Sequence, residues 1–297
     1  MVLLKFLFPL FFIIFAFAET LKLRIYSTVA VGILDLVLAV IVLIWLFYVK
    51  KKDYFLKKPF LIFIAIATFS LVINFTKFNS QEILISISYF LRWVLYASLY
   101  FVAVDIGKQL GPKISKYMLL SGVLVLILGF FQFVFYPSLK NLYYLGFDEH
   151  MHRLFGTFLD PNFAGTFLVL LLVFIYVLKD RLFGGKKYFS YIALSINFIA
   201  IVFTFSRSAI LMLVVCTFIY SVLTYKWKLT IGVISLLVFV FFALSPFFYI
   251  ENTNLLRLAS VEARISSSKN ALEIFQKNPM GVGFNTYRFA REKYERT

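Results

Sequence analysis

Apolar runs about as long as a membrane is thick recur along the whole chain, and they constrain its fold more than any other feature. A hydrocarbon core of about 30 Å is crossed by about 20 helical residues. Nine runs come close to that length, near residues 4–18, 29–48, 59–75, 83–104, 117–136, 162–178, 188–205, 208–224 and 229–250. The sequence therefore predicts an all-α fold, a polytopic transmembrane bundle of about nine helices.

The composition excludes an ordinary water-soluble domain. Of 297 residues, 62% are hydrophobic and 15% are charged, so the apolar side chains far exceed what one globular core buries. The net charge of +16 would suggest nucleic-acid binding in a soluble protein. Here most basic residues lie between apolar runs, which predicts membrane orientation and membrane lipids as neighbours, with no nucleic acid as partner.

The charges of the short connecting segments predict the orientation. One set of alternate segments holds fifteen Lys and Arg residues and the opposite set holds six. Because basic residues are retained in the cytoplasm, we expect a multi-pass plasma-membrane protein with a cytoplasmic N-terminus. Residues 1–18 also fit a secretory signal that ends in Ala16-Phe17-Ala18; we favour a retained helix, and cleavage would not change the topology that follows.

Residues 251–297 differ from the apolar bundle of residues 1–250. They carry eight basic and five acidic residues, and nine crossings place them outside the membrane. Apolar residues recur at helical spacing between Arg264 and Lys277, which predicts an amphipathic helix near 262–277 that ends at Asn278-Pro279. We therefore expect this segment to begin an extracytoplasmic loop.

A polar island precedes the sixth apolar run. It reads His152-Arg153-Leu154-Phe155-Gly156-Thr157-Phe158-Leu159-Asp160-Pro161-Asn162-Phe163-Ala164. Asp160 can cap a helix whose first turn holds Pro161, and backbone N–H groups at such an end favour an anion. Two interpretations stay open: a helix entry with an arginine at the lipid interface, or a binding site for a phosphate-bearing ligand.

A second polar feature is the turn Thr204-Phe205-Ser206-Arg207-Ser208-Ala209 between the seventh and eighth runs. The turn is so short that these runs must form a helical hairpin with a guanidinium at its tip. Arginine at this depth often extends to lipid phosphate. A guanidinium fixed by two flanking serines can instead bind a diphosphate bidentately and stabilise it as a leaving group.

Other polar residues carry weaker signals. Asp35 and Arg92 lie inside apolar runs, where an ion pair or a helix–helix hydrogen bond is the favoured role. His150 and His152 lack a third ligand at a definite spacing, so no metal site is predicted, although either could serve as a general base. Cys216 lies in an apolar run and is interpreted as packing.

These residues resemble the O-antigen ligases and O-antigen polymerases of bacterial envelopes. The resemblance covers about residues 1–290 and is strongest after residue 150. Its motifs occur in the family's order: Arg153-Leu-Phe-Gly156-Thr157-Phe-Leu-Asp160-Pro161-Asn162, Thr204-Phe-Ser206-Arg207-Ser208-Ala209, Arg264 followed by Ala271-Leu272, and Asn278-Pro279-Met-Gly281-Val282-Gly283-Phe284.

The resemblance implies a glycosyltransferase of the bacterial inner membrane that uses neither metal nor nucleotide cofactor. Such proteins transfer a glycan from undecaprenyl diphosphate to lipid A core or to a growing polysaccharide, on the outer face. The implied catalytic residues are Arg207 and Arg264, as ligands of the departing diphosphate. The implied substrate-binding residues are Arg153, Asp160, Asn162 and Ser206. Arg153 and Asn162 would lie at the outer end of the sixth helix.

Two departures from the family pattern affect these expectations. Ser268 stands where the family often has tryptophan, and the family's His-Asn motif, thought to supply the general base, would follow residue 297. We therefore expect either a fragment of a longer transferase or a short relative that lacks this base. A polysaccharide-lipid flippase and a non-catalytic scaffold are the alternatives, although a flippase should carry more polar residues at the midplane.

Overall fold

The computed structural model describes residues 2–26, 29–48, 53–243 and 259–295. Most of these residues are helical. The helices are α1 (Val2–Phe15), α2 (Ile33–Tyr48), α3 (Lys57–Ile73), α4 (Ser80–Leu110), α5 (Lys113–Phe135), α6 (Pro161–Phe183), α7 (Lys187–Phe203), α8 (Arg207–Thr224), α9 (Trp227–Ala243), α10 (Ala259–Lys277) and α11 (Tyr287–Glu295).

Four of the described helices are long and apolar enough to cross a membrane: Ser80–Gly107, Lys113–Phe135, Pro161–Phe183 and Arg207–Thr224. Shorter apolar helices are Leu3–Phe15, Ile33–Tyr48, Lys187–Phe203 and Trp227–Ala243. The prediction of a helical membrane protein is therefore confirmed, whereas the number of nine spans stays a prediction. The end of the run at 229–250 and the predicted domain boundary after residue 250 lie outside the described residues.

A small β-hairpin departs from the all-α prediction. Strand β1 (Lys22–Tyr26) pairs antiparallel with β2 (Val29–Gly32), with Lys22 opposite Gly32. The predicted helix at 29–48 consequently begins at Ile33. In the segment Lys22-Leu23-Arg24-Ile25-Tyr26 polar and apolar residues alternate, which is the period of a strand.

The chain forms two compact units, and each is described separately. The first comprises residues 1–11, 22–111 and 258–297, and the second comprises residues 12–21 and 112–257. In the first unit, Arg92 forms the expected ion pair with Asp35 at 2.9 Å. Tyr96 donates a hydrogen bond to the same carboxylate at 2.9 Å. Mutual pairing offsets the cost of placing these charges within apolar helices.

A second, partly buried carboxylate ties α2 to α4 in the first unit. Asp105 accepts hydrogen bonds from the Trp45 indole at 2.9 Å and from the Tyr54 hydroxyl at 2.7 Å. Burial, and then the hydrogen bond to Asp105, raise the pKa of the Tyr54 phenol. The phenol therefore keeps its proton and remains a donor.

The second unit has a continuous apolar core between α5, α6, α7 and α8. Leu168 of α6, Ile201 of α7 and Leu213 of α8 are completely buried in it. Other large apolar side chains face outward, such as Leu223, which is 74% exposed, and Phe239, which is 69% exposed. A lipid-facing surface explains this distribution, since hydrocarbon is the solvent that favours such side chains.

Candidate functional site

The turn that joins α7 to α8 is a rigid element of the second unit. Thr204 and Ser206 are completely buried, and Phe205 between them has a left-handed φ of 47°. Such a conformation costs a β-carbon-bearing residue about 1–3 kcal/mol and persists only where surrounding contacts impose it. The Ser206 side chain accepts a hydrogen bond from the Ala209 N–H at 3.3 Å, so α8 begins with Arg207 in a defined position.

Arg153 supplies the contacts that impose this turn. Its side chain is completely buried, and its guanidinium donates to the Thr204 carbonyl at 2.8 Å and to the Phe205 carbonyl at 3.2 Å. These carbonyls follow the C-terminal end of α7, where the helix dipole favours a cation. The structure thus places Arg153 in contact with the turn, whereas its predicted role as a substrate ligand stays a prediction.

Gln132 of α5 holds the segment that carries Arg153. Its carbonyl oxygen accepts from the N–H groups of Phe155 and Gly156, both at 2.9 Å. Its amide donates to the Arg153 carbonyl at 3.3 Å. Gln132 was not predicted from the sequence, although a lone glutamine among apolar residues of a membrane helix is itself a signal for an internal hydrogen-bond partner.

The N-terminus of α6 is bonded to the same turn. Asp160 caps α6 as predicted, because its carboxylate accepts from the N–H groups of Asn162 at 2.6 Å and Phe163 at 3.2 Å. The Asn162 carbonyl oxygen then accepts a hydrogen bond from the Ser206 hydroxyl at 2.9 Å. Asn162, Ser206 and the turn are therefore one bonded group, whereas the substrate-binding roles of Asp160, Asn162 and Ser206 stay predictions.

Gly165 allows α6 and α8 to approach closely at this end. A β-carbon at Gly165 would lie 2.6 Å from the Ala209 β-carbon and 3.4 Å from that of Ser206. Small residues at such a crossing let two membrane helices pack backbone to backbone. The N-termini of α6 and α8 consequently lie side by side. The partial positive charges of both helix dipoles are therefore at the same end of the second unit.

Arg207 lies at one end of an apolar groove between α8 and α9. The groove has a volume of about 500 Å³. Among the described residues that line it, Arg207 is the charged one; the others are apolar and include Phe205, Leu211, Val214, Leu237 and Val238. This arrangement suits a ligand with a long hydrocarbon chain and an anionic head.

Arg264 belongs to the first unit. It is exposed in the second turn of α10, where the carbonyl of the same residue accepts a hydrogen bond from the Ser268 hydroxyl at 2.8 Å. Its side chain shares one open surface of α10 with Lys269, Ile265 and Leu272. The helix predicted at 262–277 is thus observed as Ala259–Lys277, and the pairing of Arg264 with Arg207 stays a prediction.

Comparison with known proteins supports the resemblance seen in the motifs. Residues 191–297 match the O-antigen ligase family. The matched range includes Ser206, Arg207, Arg264 and the segment 278–284. No curated protein and no solved structure matches the chain. Over residues 191–297, about a third of the chain, the sequence is therefore similar to the O-antigen ligase family.

Proposed function

We propose that this protein transfers a glycan from undecaprenyl diphosphate to an acceptor on the outer face of the bacterial plasma membrane. The acceptor is lipid A core or a growing polysaccharide. In the reaction, an acceptor hydroxyl attacks the anomeric carbon of the donor sugar and loses its proton to a general base. The bond from that carbon to the diphosphate breaks, and lipid diphosphate leaves with the electron pair.

The position of Arg207 at the end of the apolar groove carries this proposal. The groove suits the isoprenoid chain, and the guanidinium at its end suits the diphosphate. Charge accumulates on the diphosphate as the glycosidic bond breaks. A positioned cation at this oxygen stabilises the transition state more than the ground state, which is the requirement for catalysis.

The surrounding contacts fix the backbone from which the Arg207 side chain extends. Arg153 holds the two carbonyls that precede Ser206, and Ser206 is bonded to Asn162. A charge held in place needs little reorganisation during the reaction, whereas a flexible surface arginine must be ordered in every turnover. In the proposal, Arg153, Asn162 and Ser206 position Arg207, and Arg264 adds a second cation from α10.

A contact within the first unit supports the proposed orientation. Lys77, in the connection between α3 and α4, accepts a hydrogen bond at its carbonyl from Lys293 at 2.8 Å. The α3–α4 connection and the C-terminal segment must therefore share one side of the membrane. Charge counting assigns that connection to the outer side, so we place the C-terminal segment outside as well.

Replacement of Arg207 tests the proposal. We expect Arg207→Ala to reduce glycan transfer in membrane vesicles by about 10²–10³-fold, the usual loss when one charge-stabilising donor is removed. Arg207→Lys should give an intermediate loss, because lysine keeps the charge but not the planar fork. Arg181→Ala is the control, since Arg181 is an exposed arginine in the last turn of α6. Transfer by Arg207→Ala within twofold of the parent would overturn the proposal.

Replacement of Arg264 tests the second cation separately. Arg264→Ala should also reduce transfer by about 10²-fold or more if α10 contributes a charge to the departing diphosphate. Ser266→Ala, an exposed position on the same helix, is the matched control. Unchanged transfer by Arg264→Ala would remove Arg264 from the mechanism and leave the role of Arg207 intact.

A further inference from the structure

The segment that follows α10 lies against the connection between α3 and α4, within the first unit. The Asn74 amide donates to the Gly281 carbonyl at 3.1 Å. The Ser70 hydroxyl donates to the Met280 carbonyl at 3.3 Å, and the Lys77 amine donates to the Asn278 side chain at 3.2 Å. Three hydrogen bonds therefore join two segments that are about 200 residues apart in the sequence.

Apolar and charged contacts extend this surface on both sides. The Phe284 ring packs among aromatic rings of α3 and α4, with centroid distances of 5.2 Å to Phe90, 6.2 Å to Phe63 and 6.4 Å to Trp93. Beyond it, Lys293 of α11 approaches Glu82 at 3.4 Å. Aromatic packing of this kind contributes more than the exposed ion pair does.

Asn74 lies at the centre of this surface and is only 1% exposed. Its amide donates at once to the Ser70 carbonyl at 2.8 Å and to the Gly281 carbonyl at 3.1 Å. Burying an amide N–H group is costly unless it is hydrogen-bonded, and the Gly281 carbonyl gives the Asn74 NH2 group its second acceptor.

Gly281 is the residue that allows such an approach. It has a φ of +78°, which residues with a β-carbon rarely adopt, and a β-carbon there would lie 3.2 Å from the Ser70 hydroxyl. The backbone of the segment can therefore lie directly on the end of α3, where Asn74 reaches its carbonyl.

The docked segment fixes one end of α10. Asn278 follows α10 directly, and its N–H donates to the Ile274 carbonyl at 3.0 Å. The helix α11 folds back along α10, because Tyr294 donates to the Glu273 carboxylate and the Lys277 amine lies 4.2 Å from the Tyr294 ring centroid. Arg264 stands about 20 Å from Asn278 along this helix, at 1.5 Å per residue.

We propose that Asn74 is a positioning residue, which docks the backbone of Met280 and Gly281 on the α3–α4 connection and thereby fixes the α10 helix that carries Arg264. The proposal rests on the proposed function for its effect on activity. The docking itself can be measured without an activity assay.

A crosslinking experiment measures the docking. Cysteines replace Lys77 and Asn278 in a Cys216→Ala background, and a short bifunctional thiol reagent is added to membranes that contain the full chain. Mass spectrometry should find the 77–278 crosslink, and both single-cysteine chains should lack it. Adding Asn74→Leu should reduce the crosslink yield at least about fivefold, with the amount of protein in the membrane unchanged. Absence of the crosslink, or an equal yield with Asn74→Leu, would overturn the proposal.

Restoration of activity by the crosslink distinguishes positioning from a general structural role. We expect Asn74→Leu to reduce glycan transfer about tenfold or more, and Asn74→Asp to do the same because a carboxylate cannot donate to either carbonyl. Covalent closure of the 77–278 pair should return transfer by Asn74→Leu to within about threefold of the crosslinked parent. Failure of this recovery would overturn the positioning role. Activity that survives Arg264→Ala would instead remove Arg264 from the proposed function, while the crosslink result would stand.

Discussion

Arg153 and Arg207 both adjoin the turn between α7 and α8, but their surroundings differ. Arg153 is completely buried and bonded to backbone carbonyls, whereas Arg207 lines a groove of about 500 Å³. The sequence motifs assigned both arginines to a substrate site. Burial and backbone contacts show that Arg153 holds the turn, whereas the ligand role of Arg207 stays a proposal.

Loss of Arg153 should destabilise the protein. In Arg153→Met the buried carbonyls of Thr204 and Phe205 lose their donors, at about 1–3 kcal/mol for each group left unsatisfied. We expect a lower midpoint of thermal unfolding in detergent. Arg181→Met, at an exposed position of α6, should change stability by less than about 0.5 kcal/mol. An unchanged midpoint for Arg153→Met would show that the turn does not depend on this guanidinium.

Asn162 and Ser206 should be energetically coupled. Their side chains share a hydrogen bond of 2.9 Å, and Ser206 also caps α8. In a double-mutant cycle with Asn162→Ala and Ser206→Ala, unfolding should give a coupling energy of about 0.5–3 kcal/mol. A cycle that pairs Asn162→Ala with Ser208→Ala should give none, because Ser208 is exposed. Strict additivity of the Asn162 and Ser206 changes would contradict the bonded group.

Among the structural elements, the long apolar helices were the most predictable. The run at 208–224 became Arg207–Thr224, and the run at 188–205 became Lys187–Phe203. Length and hydropathy suffice there, because a membrane imposes helical hydrogen bonding on any spanning segment. The β-hairpin at residues 22–32 and the helix α11 were missed, since short polar segments take their structure from local pairing and packing that a search for apolar runs does not detect.

The candidate site was predictable in its parts but not in its bonding. Ser206 and Asp160 were recognisable because caps have a local sequence signature. Gln132 was not, because its partners lie more than twenty residues away in the sequence. Contacts of that separation depend on how helices pack, and the pattern of a single sequence does not report that packing.

The crossing of α6 and α8 depends on Gly165. Gly165→Val places methyl groups where the Ala209 β-carbon already lies, so the helices must separate at an expected cost of about 1–3 kcal/mol. Thermal unfolding and transfer activity should both fall. Gly232→Val on α9 is the matched control, because a β-carbon there meets no atom within 4 Å. Equal stability of the two variants would contradict a close crossing at Gly165.

At the scale of the whole molecule, the proposed function requires a particular membrane topology. Single cysteines at Lys77 and Lys293, in a Cys216→Ala background, should react with a membrane-impermeant thiol reagent added outside intact cells from which any outer membrane has been removed. Cysteines at Lys179 and Lys226 should react only after the membrane is opened, because the basic segments that contain them are predicted to be cytoplasmic. Protection of Lys77 and Lys293 from the external reagent would reverse the proposed orientation.

The central claim is that the groove beside Arg207 binds a lipid diphosphate. It is tested most directly by a photoreactive undecaprenyl-diphosphate analogue, applied to membranes that contain the full chain and followed by peptide mapping. We predict labelling within α8 and α9 that unlabelled undecaprenyl diphosphate prevents. In Arg207→Ala, labelling at subsaturating analogue should fall about tenfold, since a lost charged hydrogen bond costs about 1.5–3 kcal/mol. Labelling that avoids α8 and α9, or that Arg207→Ala leaves unchanged, would contradict the account.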